Sequence, residues 1–215
     1  MKKNKHPILI LVSGPSGSGK TTLSQRIANS VPNNVNVVVI SQDDFYNEKK
    51  MIPKLNGIFN YDHPDAFNWK LIKKTLNDLL NTNKKVTIYK YDFNISKTTS
   101  EVSVTAQDVD LIIFEGLFTL YDKQIRELAD LTVFVETELD ECFIRRILRD
   151  IHERGRNIDN VIVKWRSIVK PMYKFYIEPL KFDVDIIIPW DETKENSISL
   201  LTNWITTNAI KKNRK

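Results

Sequence analysis

Short apolar runs alternate with amphipathic stretches along the chain, which is the pattern of a mostly parallel sheet covered by helices. Five runs rich in Val, Ile, Leu or Phe predict strands that are buried on both faces. These strands are Ile8–Ser13, Asn36–Ser41, Asp110–Glu115, Leu131–Val135 and Val184–Pro189. Apolar residues at helical spacing predict helices at Lys20–Ala28, Trp69–Leu80, Leu139–Glu153, Asn160–Tyr176 and Ser197–Asn208. The pattern therefore predicts an α/β fold of three layers, with helices on both faces of the sheet.

One segment between the second helix and the third strand has a different period. Val86–Phe93 and Glu101–Thr105 alternate apolar and polar residues, which predicts a small antiparallel β insertion over residues 86–105. The Ser/Thr-rich stretch Ser96–Ser100 between them predicts a loop. The sequence has no internal repeat and no linker-like stretch, so we expect one domain over residues 1–215.

The composition of the 215 residues is that of a globular domain, with 41% hydrophobic residues, 6 Gly and 8 Pro. No apolar run approaches the roughly 18 residues of a membrane span. The first apolar run is also too short for a signal peptide. Cys142 is the single cysteine of the sequence, which excludes an internal disulfide. These features predict a cytoplasmic protein without membrane contact.

The net charge of +5 raises the question of a nucleic-acid partner. Seven basic residues lie within residues 1–6 and 211–215, and without them the net charge of the chain becomes −2. A nucleic-acid surface needs its basic residues on the folded body. We therefore interpret the two basic tails as solvated chain ends and expect no nucleic-acid partner.

The segment Gly14–Thr21 (GPSGSGKT) matches the phosphate-binding pattern G-x-x-x-x-G-K-[ST] and lies between a predicted strand and a predicted helix. Glycines let backbone N–H groups surround phosphate oxygens, and the helix N-terminus adds partial positive charge. Lys20 is expected to reach the β- and γ-phosphates, and the Thr21 hydroxyl to bind Mg²⁺. The residues predicted to hold the nucleotide are Gly14, Ser16, Gly17, Ser18, Gly19, Lys20, Thr21 and Thr22. The motif predicts a P-loop fold that binds ATP or another nucleoside triphosphate with Mg²⁺, but not which reaction follows.

Carboxylates follow two of the predicted strands, at the edge where open α/β sheets bind ligands. Asp43 and Asp44 come directly after the second strand. Asp43 is a candidate base for the proton of an attacking hydroxyl, whereas we interpret Asp44 as a helix-capping acid. Glu115 closes the third strand and is a candidate second carboxylate near Mg²⁺. The GTPase motifs N-K-x-D and D-x-x-G do not occur in the sequence. Among P-loop proteins, a kinase is therefore favoured over a GTPase.

Five arginines lie between residues 145 and 156, in the stretch RRILRDIHERGR. Helical spacing places Arg145, Arg149 and His152 on one face, and Asp150 and Glu153 are available for local ion pairs. Phosphoryl transfer needs cations that neutralise the charge of the transition state in place of water. We therefore predict an arginine-rich lid over residues 139–160, which would also suppress hydrolysis of ATP.

Together these motifs resemble the uridine kinase (uridine–cytidine kinase) family, in the family's order and over about residues 8–190. The motif SQDDFY is shared with related kinases such as nicotinamide riboside kinases, whereas YDHPDAF, RDIHERGR and VKPMYKFYIEP make the combination more specific. The matching segments are Gly14–Thr21, Ser41–Tyr46, Tyr61–Phe67, Tyr91–Phe93, Phe114–Gly116, Arg145–Arg156, Val169–Met172 and Asp185–Pro189.

The resemblance implies transfer of the ATP γ-phosphate to the 5′-hydroxyl of uridine or cytidine. It implies that Asp43 is the base for that hydroxyl and that Asp62 holds the ribose hydroxyls. A carboxylate has two acceptor oxygens and can grip a vicinal diol. The resemblance also implies an aromatic slot for the nucleobase, formed by Tyr46, Tyr61, Tyr91 and Phe93.

The resemblance further assigns the arginines. Arg146 and Arg156 are implied to contact the nucleoside, and Arg149 and Arg154 the phosphates, with Arg149 as a catalytic cation. A homotetramer is implied in the same way, because no interface follows from the residues themselves.

Two positions depart from the family pattern, and both belong to the implied nucleobase contacts. Ser96 stands where the family has a histidine, and Lys164 stands where a glutamine is expected. A site that hydrogen-bonds a base edge discriminates steeply when a partner changes. The two positions keep open a kinase for another riboside such as nicotinamide riboside. A nucleotide-binding protein without enzymatic activity is a second alternative, which predicts loss of Asp43 or Glu115, and both are present.

Overall fold

The computed structural model describes residues 6–92, 97–191 and 195–214. The strands are β1 (Ile8–Ser13), β2 (Val37–Ser41), β3 (Lys54–Leu55), β4 (Ile58–Phe59), β5 (Lys85–Asp92), β6 (Lys97–Thr105), β7 (Leu111–Glu115), β8 (Leu131–Glu136) and β9 (Ile186–Pro189). The α-helices are α1 (Lys20–Ser30), α2 (Trp69–Asn81), α3 (Lys123–Arg126), α4 (Leu139–His152), α5 (Ile158–Lys164), α6 (Lys170–Met172) and α7 (Glu195–Arg214).

The five strands predicted from the apolar runs form one sheet in the order β2-β7-β1-β8-β9. All four strand pairs within it are parallel. The crossovers that parallel strands require are supplied by the helices. This arrangement confirms the predicted α/β fold with a mostly parallel sheet.

The sheet is covered on both faces because successive side chains of its central strand point in opposite directions. In β1, Leu9 and Leu11 pack into the cluster that contains the α2 residue Leu76. The neighbouring Ile10 packs into the cluster on the other face, with Leu23 of α1 and residues of α7. The three predicted layers are therefore present, and they hold the strand ends in fixed positions.

The helical region predicted at Asn160–Tyr176 is helical, but it is not one regular α-helix. It begins as α5, widens into a π-helical turn over Trp165–Val169, and continues through α6 into a second π-helical turn over Tyr173–Ile177. Pro171 lies between the two wide turns. Proline has no N–H and its ring clashes with the carbonyl four residues earlier, so a regular helix is disfavoured there.

The predicted insertion is the antiparallel pair of β5 and β6. It is attached to the loop after β2 through Asp44, whose carboxylate accepts hydrogen bonds from the Lys90 ammonium at 2.7 Å and from the Tyr91 backbone N–H at 3.0 Å. Asp44 therefore anchors the insertion, which corrects its interpretation as a helix-capping acid. The short hairpin of β3 and β4 was not predicted, because each strand has only two residues.

Within the described residues, the helices are all too short or too polar to cross a membrane.

Gly19 ends the phosphate loop with a left-handed backbone, at φ +89°. A Cβ atom at this position would collide with the indole ring of Trp190, which follows β9. Trp190 is buried, at 5% exposure. Gly57, in the turn between β3 and β4, has a similar φ of +78°, but no atom lies within 4 Å of its Cβ position. The two glycines therefore share the backbone requirement and differ in the space around them.

We expect Gly19→Ala to lower the free energy of unfolding more than Gly57→Ala. In each variant the left-handed alanine lowers the free energy of unfolding by about 1–2 kcal/mol. In Gly19→Ala, overpacking against Trp190 lowers it by about 1–3 kcal/mol more. Urea denaturation of the two variants measures this difference. Equal losses would contradict the packing of Trp190 on the loop.

Candidate active site

A cavity of about 540 Å³ opens where the carboxyl ends of β1, β2 and β7 meet. The residues of the predicted site that line it are Ser16, Gly17, Gly19, Lys20, Thr21, Thr22, Asp43, Tyr46, Tyr61, Asp62, Tyr91, Glu115, Arg146, Arg149, Arg154 and Arg156. One end of the cavity thus carries the phosphate loop, and the other carries the tyrosines.

Three residues of the predicted set are not among the lining residues. Gly14 is at the base of the loop and lies against the backbone of Val135. Ser18 is fully buried beneath the loop. Phe93 lies outside the described residues, as does Ser96, so the structure does not test either of them.

Lys20 folds back over the phosphate loop. Its ammonium donates a hydrogen bond of 2.8 Å to the carbonyl oxygen of Pro15. Burial lowers the pKa of Lys20, and the nearby carboxylates of Glu115 and Asp43 oppose that shift. A buried ammonium held by a single carbonyl is poised for a stronger, anionic partner.

Glu115 and Thr21 bring two oxygen donors together beside the loop. The Thr21 hydroxyl donates a hydrogen bond of 3.1 Å to Glu115 Oε1. Burial raises the pKa of Glu115, whereas Lys20 and the hydroxyl partners Ser41 and Thr21 lower it. Hydroxyl and carboxylate oxygens are the ligands that Mg²⁺ prefers in proteins, so the two residues fit such an ion.

Asp43 lies between the loop and the tyrosines. The Tyr46 hydroxyl donates a hydrogen bond of 3.2 Å to Asp43 Oδ1. Burial raises the pKa of Asp43, and the positive charges of Arg154, Lys20 and Arg149 oppose the rise. A carboxylate in this position can accept a proton from a hydroxyl bound in the cavity.

Three tyrosines from different segments form an aromatic wall of the cavity. The ring centroid of Tyr46 lies 5.2 Å from that of Tyr61 and 5.3 Å from that of Tyr91. Phe59 of β4, which no sequence motif indicated, extends this wall, and its ring centroid lies 6.4 Å from that of Tyr61. The rings are tilted against one another, at 89° for Tyr46 and Tyr61 and at 59° for Tyr46 and Tyr91, so they offer both ring faces and ring edges to a planar heterocycle.

Asp62 lies beside the aromatic wall and is connected to the phosphate loop through Arg146. One guanidinium nitrogen, Arg146 Nη1, lies 2.9 Å from Ser16 Oγ and 3.4 Å from Asp62 Oδ1. Asp62 and Arg146 are both buried, at 8% and 7% exposure. The same arginine therefore touches both ends of the cavity.

Lys164 and Asp150 are two further charged residues at the cavity and its arginines. Lys164 lines the cavity, and burial together with Arg156 and Arg146 lowers its pKa. The prediction of local ion pairs for Asp150 is confirmed, and the structure places this carboxylate at the centre of four arginines. Its spacing of four residues from both Arg146 and Arg154 was the available signal.

Comparison with known proteins agrees with this geometry. The model of the phosphoribulokinase/uridine kinase family matches residues 9–197. A uridine kinase of Ureaplasma urealyticum is 42% identical over 205 residues, covering 94% of this chain and 97% of the relative. A uridine kinase of Lactobacillus helveticus is 40% identical over 203 residues, covering 94% of this chain and 95% of the relative.

Among solved structures, the phosphoribulokinase of Rhodobacter spheroides superposes with a TM-score of 0.61 at 21% identity, covering 89% of this chain and 74% of that chain. At this identity the likeness concerns the fold alone.

The partly buried carboxylate of Asp43 yields a prediction about stability and pH. Its folded-state pKa is raised mainly by burial, so its ionised form destabilises the folded protein at neutral pH. We expect Asp43→Asn to raise the free energy of unfolding at pH 7. The gain should shrink as the pH falls toward the raised pKa, because wild-type Asp43 then becomes neutral as well.

Urea denaturation between pH 5 and 7 measures this difference. The exposed Asp140, on α4, provides a control, and Asp140→Asn should stay within about 0.5 kcal/mol of wild type. A lower stability of Asp43→Asn at pH 7 would show that its hydrogen bonds outweigh the cost of burial.

Proposed function

Because the chain belongs to the phosphoribulokinase/uridine kinase family, we propose that it transfers the γ-phosphate of ATP to the 5′-hydroxyl of uridine or cytidine. The observation that carries this proposal is the composition of the cavity. A phosphate loop, a buried carboxylate and a wall of three tyrosines line the same space of about 540 Å³. Such a space can hold a triphosphate and a nucleoside with their reacting groups adjacent.

In this proposal the phosphate loop holds the triphosphate, with Lys20 leaving Pro15 to pair with the phosphate oxygens. Thr21 and Glu115 would hold Mg²⁺, since their oxygens already lie 3.1 Å apart. When bound, Mg²⁺ neutralises negative charge on the β- and γ-phosphates. The arginines Arg149 and Arg154 face the same space and supply further positive charge.

Asp43 acts as the base in the transfer step. The 5′-oxygen of the nucleoside forms a bond to the γ-phosphorus, and the bond from that phosphorus to the β–γ bridging oxygen breaks. The proton of the 5′-hydroxyl passes to the Asp43 carboxylate, and the products are a nucleoside monophosphate and ADP. The raised pKa of Asp43 brings it closer to that of a working general base.

The nucleoside occupies the other end of the cavity. Asp62 accepts hydrogen bonds from the 2′- and 3′-hydroxyls of the ribose, and Arg146 and Arg156 line the same region. The nucleobase lies against Tyr46, Tyr61 and Tyr91. The ring centroid of Tyr46 lies 5.2 Å from that of Tyr61 and 5.3 Å from that of Tyr91. In this orientation the 5′-hydroxyl of the nucleoside would point toward Asp43, which lines the same cavity.

We expect the purified protein with Mg-ATP to release ADP in the presence of uridine or cytidine. The comparison set is 2′-deoxyuridine, adenosine and nicotinamide riboside, at equal concentration. Because Asp62 is expected to bind both ribose hydroxyls, kcat/KM for uridine should exceed that for 2′-deoxyuridine by on the order of 10²-fold or more. Turnover of nicotinamide riboside alone would exclude a pyrimidine acceptor, and no ADP release with any acceptor would exclude a nucleoside kinase.

A second test concerns Asp43, the proposed catalytic base. We expect Asp43→Asn to lower kcat by on the order of 10²–10⁴-fold, the usual span for a lost general base. The KM for ATP should change little, because Asp43 contacts the hydroxyl and not the triphosphate. Steady-state kinetics of ADP release measure both constants, and Asp140→Asn serves as the control. A kcat within a few-fold of wild type would mean that Asp43 is not the base.

A further inference from the structure

Asp150 is a buried carboxylate whose two oxygens face four arginines. Its side chain is 1% exposed. Oδ1 accepts hydrogen bonds from Arg149, at 3.1 Å from Nε and 3.0 Å from Nη2, and from Arg154 Nη1 at 3.4 Å. Oδ2 accepts one from Arg156 Nη1 at 2.8 Å and lies 3.7 Å from Arg146 Nε. One carboxylate therefore organises four guanidinium groups.

The orientation of α4 makes this burial unusual. Helices of globular proteins normally turn their aliphatic residues inward and their charges outward. In α4 the charged side chains of Arg146 and Asp150 are buried. The aliphatic side chains of Ile144 and Leu148 are about half exposed, at 51% and 52%. Two of the three buried residues of this helix are therefore charged, and the third is Cys142.

Stability alone is a weak reason for such an arrangement. Buried ion pairs pay a large desolvation penalty, and hydrophobic residues of similar volume often replace them without loss of stability. Burial by itself would raise the pKa of Asp150, but Arg146, Arg149, Arg156 and Arg154 together hold it below its ordinary value. Asp150 is therefore a fixed negative charge across the neutral pH range.

The four arginines all line the cavity, and they face different parts of it. Arg146 connects Ser16 of the phosphate loop to Asp62. The charges of Arg154 and Arg149 both act on the pKa of Asp43. Asp150 thus holds guanidinium groups that reach the triphosphate end of the cavity, the proposed catalytic base Asp43 and the ribose end.

Four like charges so close together repel one another, and an arginine side chain that is not held in place loses rotamer entropy on binding. A central anion offsets part of the repulsion and fixes the side chains before the substrates arrive. Fixed charges stabilise a transition state more effectively than charges that must reorganise during the reaction.

We propose that Asp150 is a positioning residue for phosphoryl transfer, which holds the guanidinium groups of Arg146, Arg149, Arg154 and Arg156 in the array that the transition state requires. The inference rests on the proposed kinase activity. Asp150 itself touches neither substrate, because its carboxylate is enclosed by the arginines.

The test is Asp150→Asn, which keeps the shape of the side chain and removes its charge. We expect kcat per folded molecule to fall by about 10²-fold, the cost of a misplacement of about 1 Å at a reacting centre. The KM for ATP should not rise, because the loss of a negative charge leaves the cavity more positive toward the triphosphate. Circular dichroism and thermal unfolding give the folded fraction by which kcat is normalised.

Two variants complete the experiment. Asp140→Asn removes a carboxylate from the exposed side of the same helix and should keep the wild-type kcat. Asp150→Glu keeps the charge and moves it by one methylene, so it tests placement even where Asp150→Asn does not fold. We expect its kcat to fall as well, by about 10-fold, since active-site groups must be held to within about 0.5 Å.

A purely structural Asp150 makes a different prediction. Both variants would then lose thermal stability while keeping the wild-type kcat per folded molecule, and that result would overturn the proposal. A higher KM for ATP with an unchanged kcat would also overturn it, because the arginines would then act in ground-state binding. If wild type phosphorylates no nucleoside, the proposed function itself has failed, independently of Asp150.

Discussion

The candidate site depends on the parallel register of three strands. Val12 of β1 and Ser41 of β2 both pair with Glu115 of β7, so the three strands end at the same level of the sheet. The phosphate loop follows β1, and Asp43 follows β2 by two residues. Thr21 of the loop and Glu115 are 94 residues apart in the sequence, and the strand pairing brings them together. The register in turn is fixed by apolar side chains buried on both faces, since any slip would exchange the faces of the strand.

The second constraint is the balance of charge in a space with little water. Burial shifts the pKa of Lys20 downward and those of Asp43 and Glu115 upward, so each of the three charges is unfavourable where it lies. The attraction between Lys20 and the two carboxylates compensates only in part, and the two carboxylates repel each other. Sites of this kind reduce the stability of the folded protein. The apolar clusters on the two faces of the sheet must compensate for this loss. Asp150 is the opposite case, because its four arginines more than offset its burial.

The sequence predicts the sheet and the phosphate loop well because both depend on local information. The apolar runs give all five strands of the sheet to within two residues at each end, and the loop motif is contiguous from Gly14 to Thr21. The central position of Asp150 was not predicted, since it depends on which face of α4 turns inward. The apolar residues of that helix suggest the wrong face, with Leu148 half exposed. The π-helical turns beside Pro171 were also missed, because periodicity alone does not distinguish them from a regular helix.

The phosphate end and the nucleoside end of the cavity also differ in how far they depend on local sequence. The phosphate loop is one contiguous segment, Gly14–Thr21, so binding of a nucleoside triphosphate can be inferred from a motif. The nucleoside end is assembled from separate elements: Phe59 comes from β4, Tyr91 from β5 and Lys164 from α5. Asp44 fixes β5 to the residue next to the proposed base, through Lys90 and the backbone of Tyr91. A change in the insertion can therefore alter the fit of the nucleobase while the phosphate end stays intact. This separation explains why one phosphate-binding fold can serve different acceptors, and why the acceptor is harder to infer than the reaction.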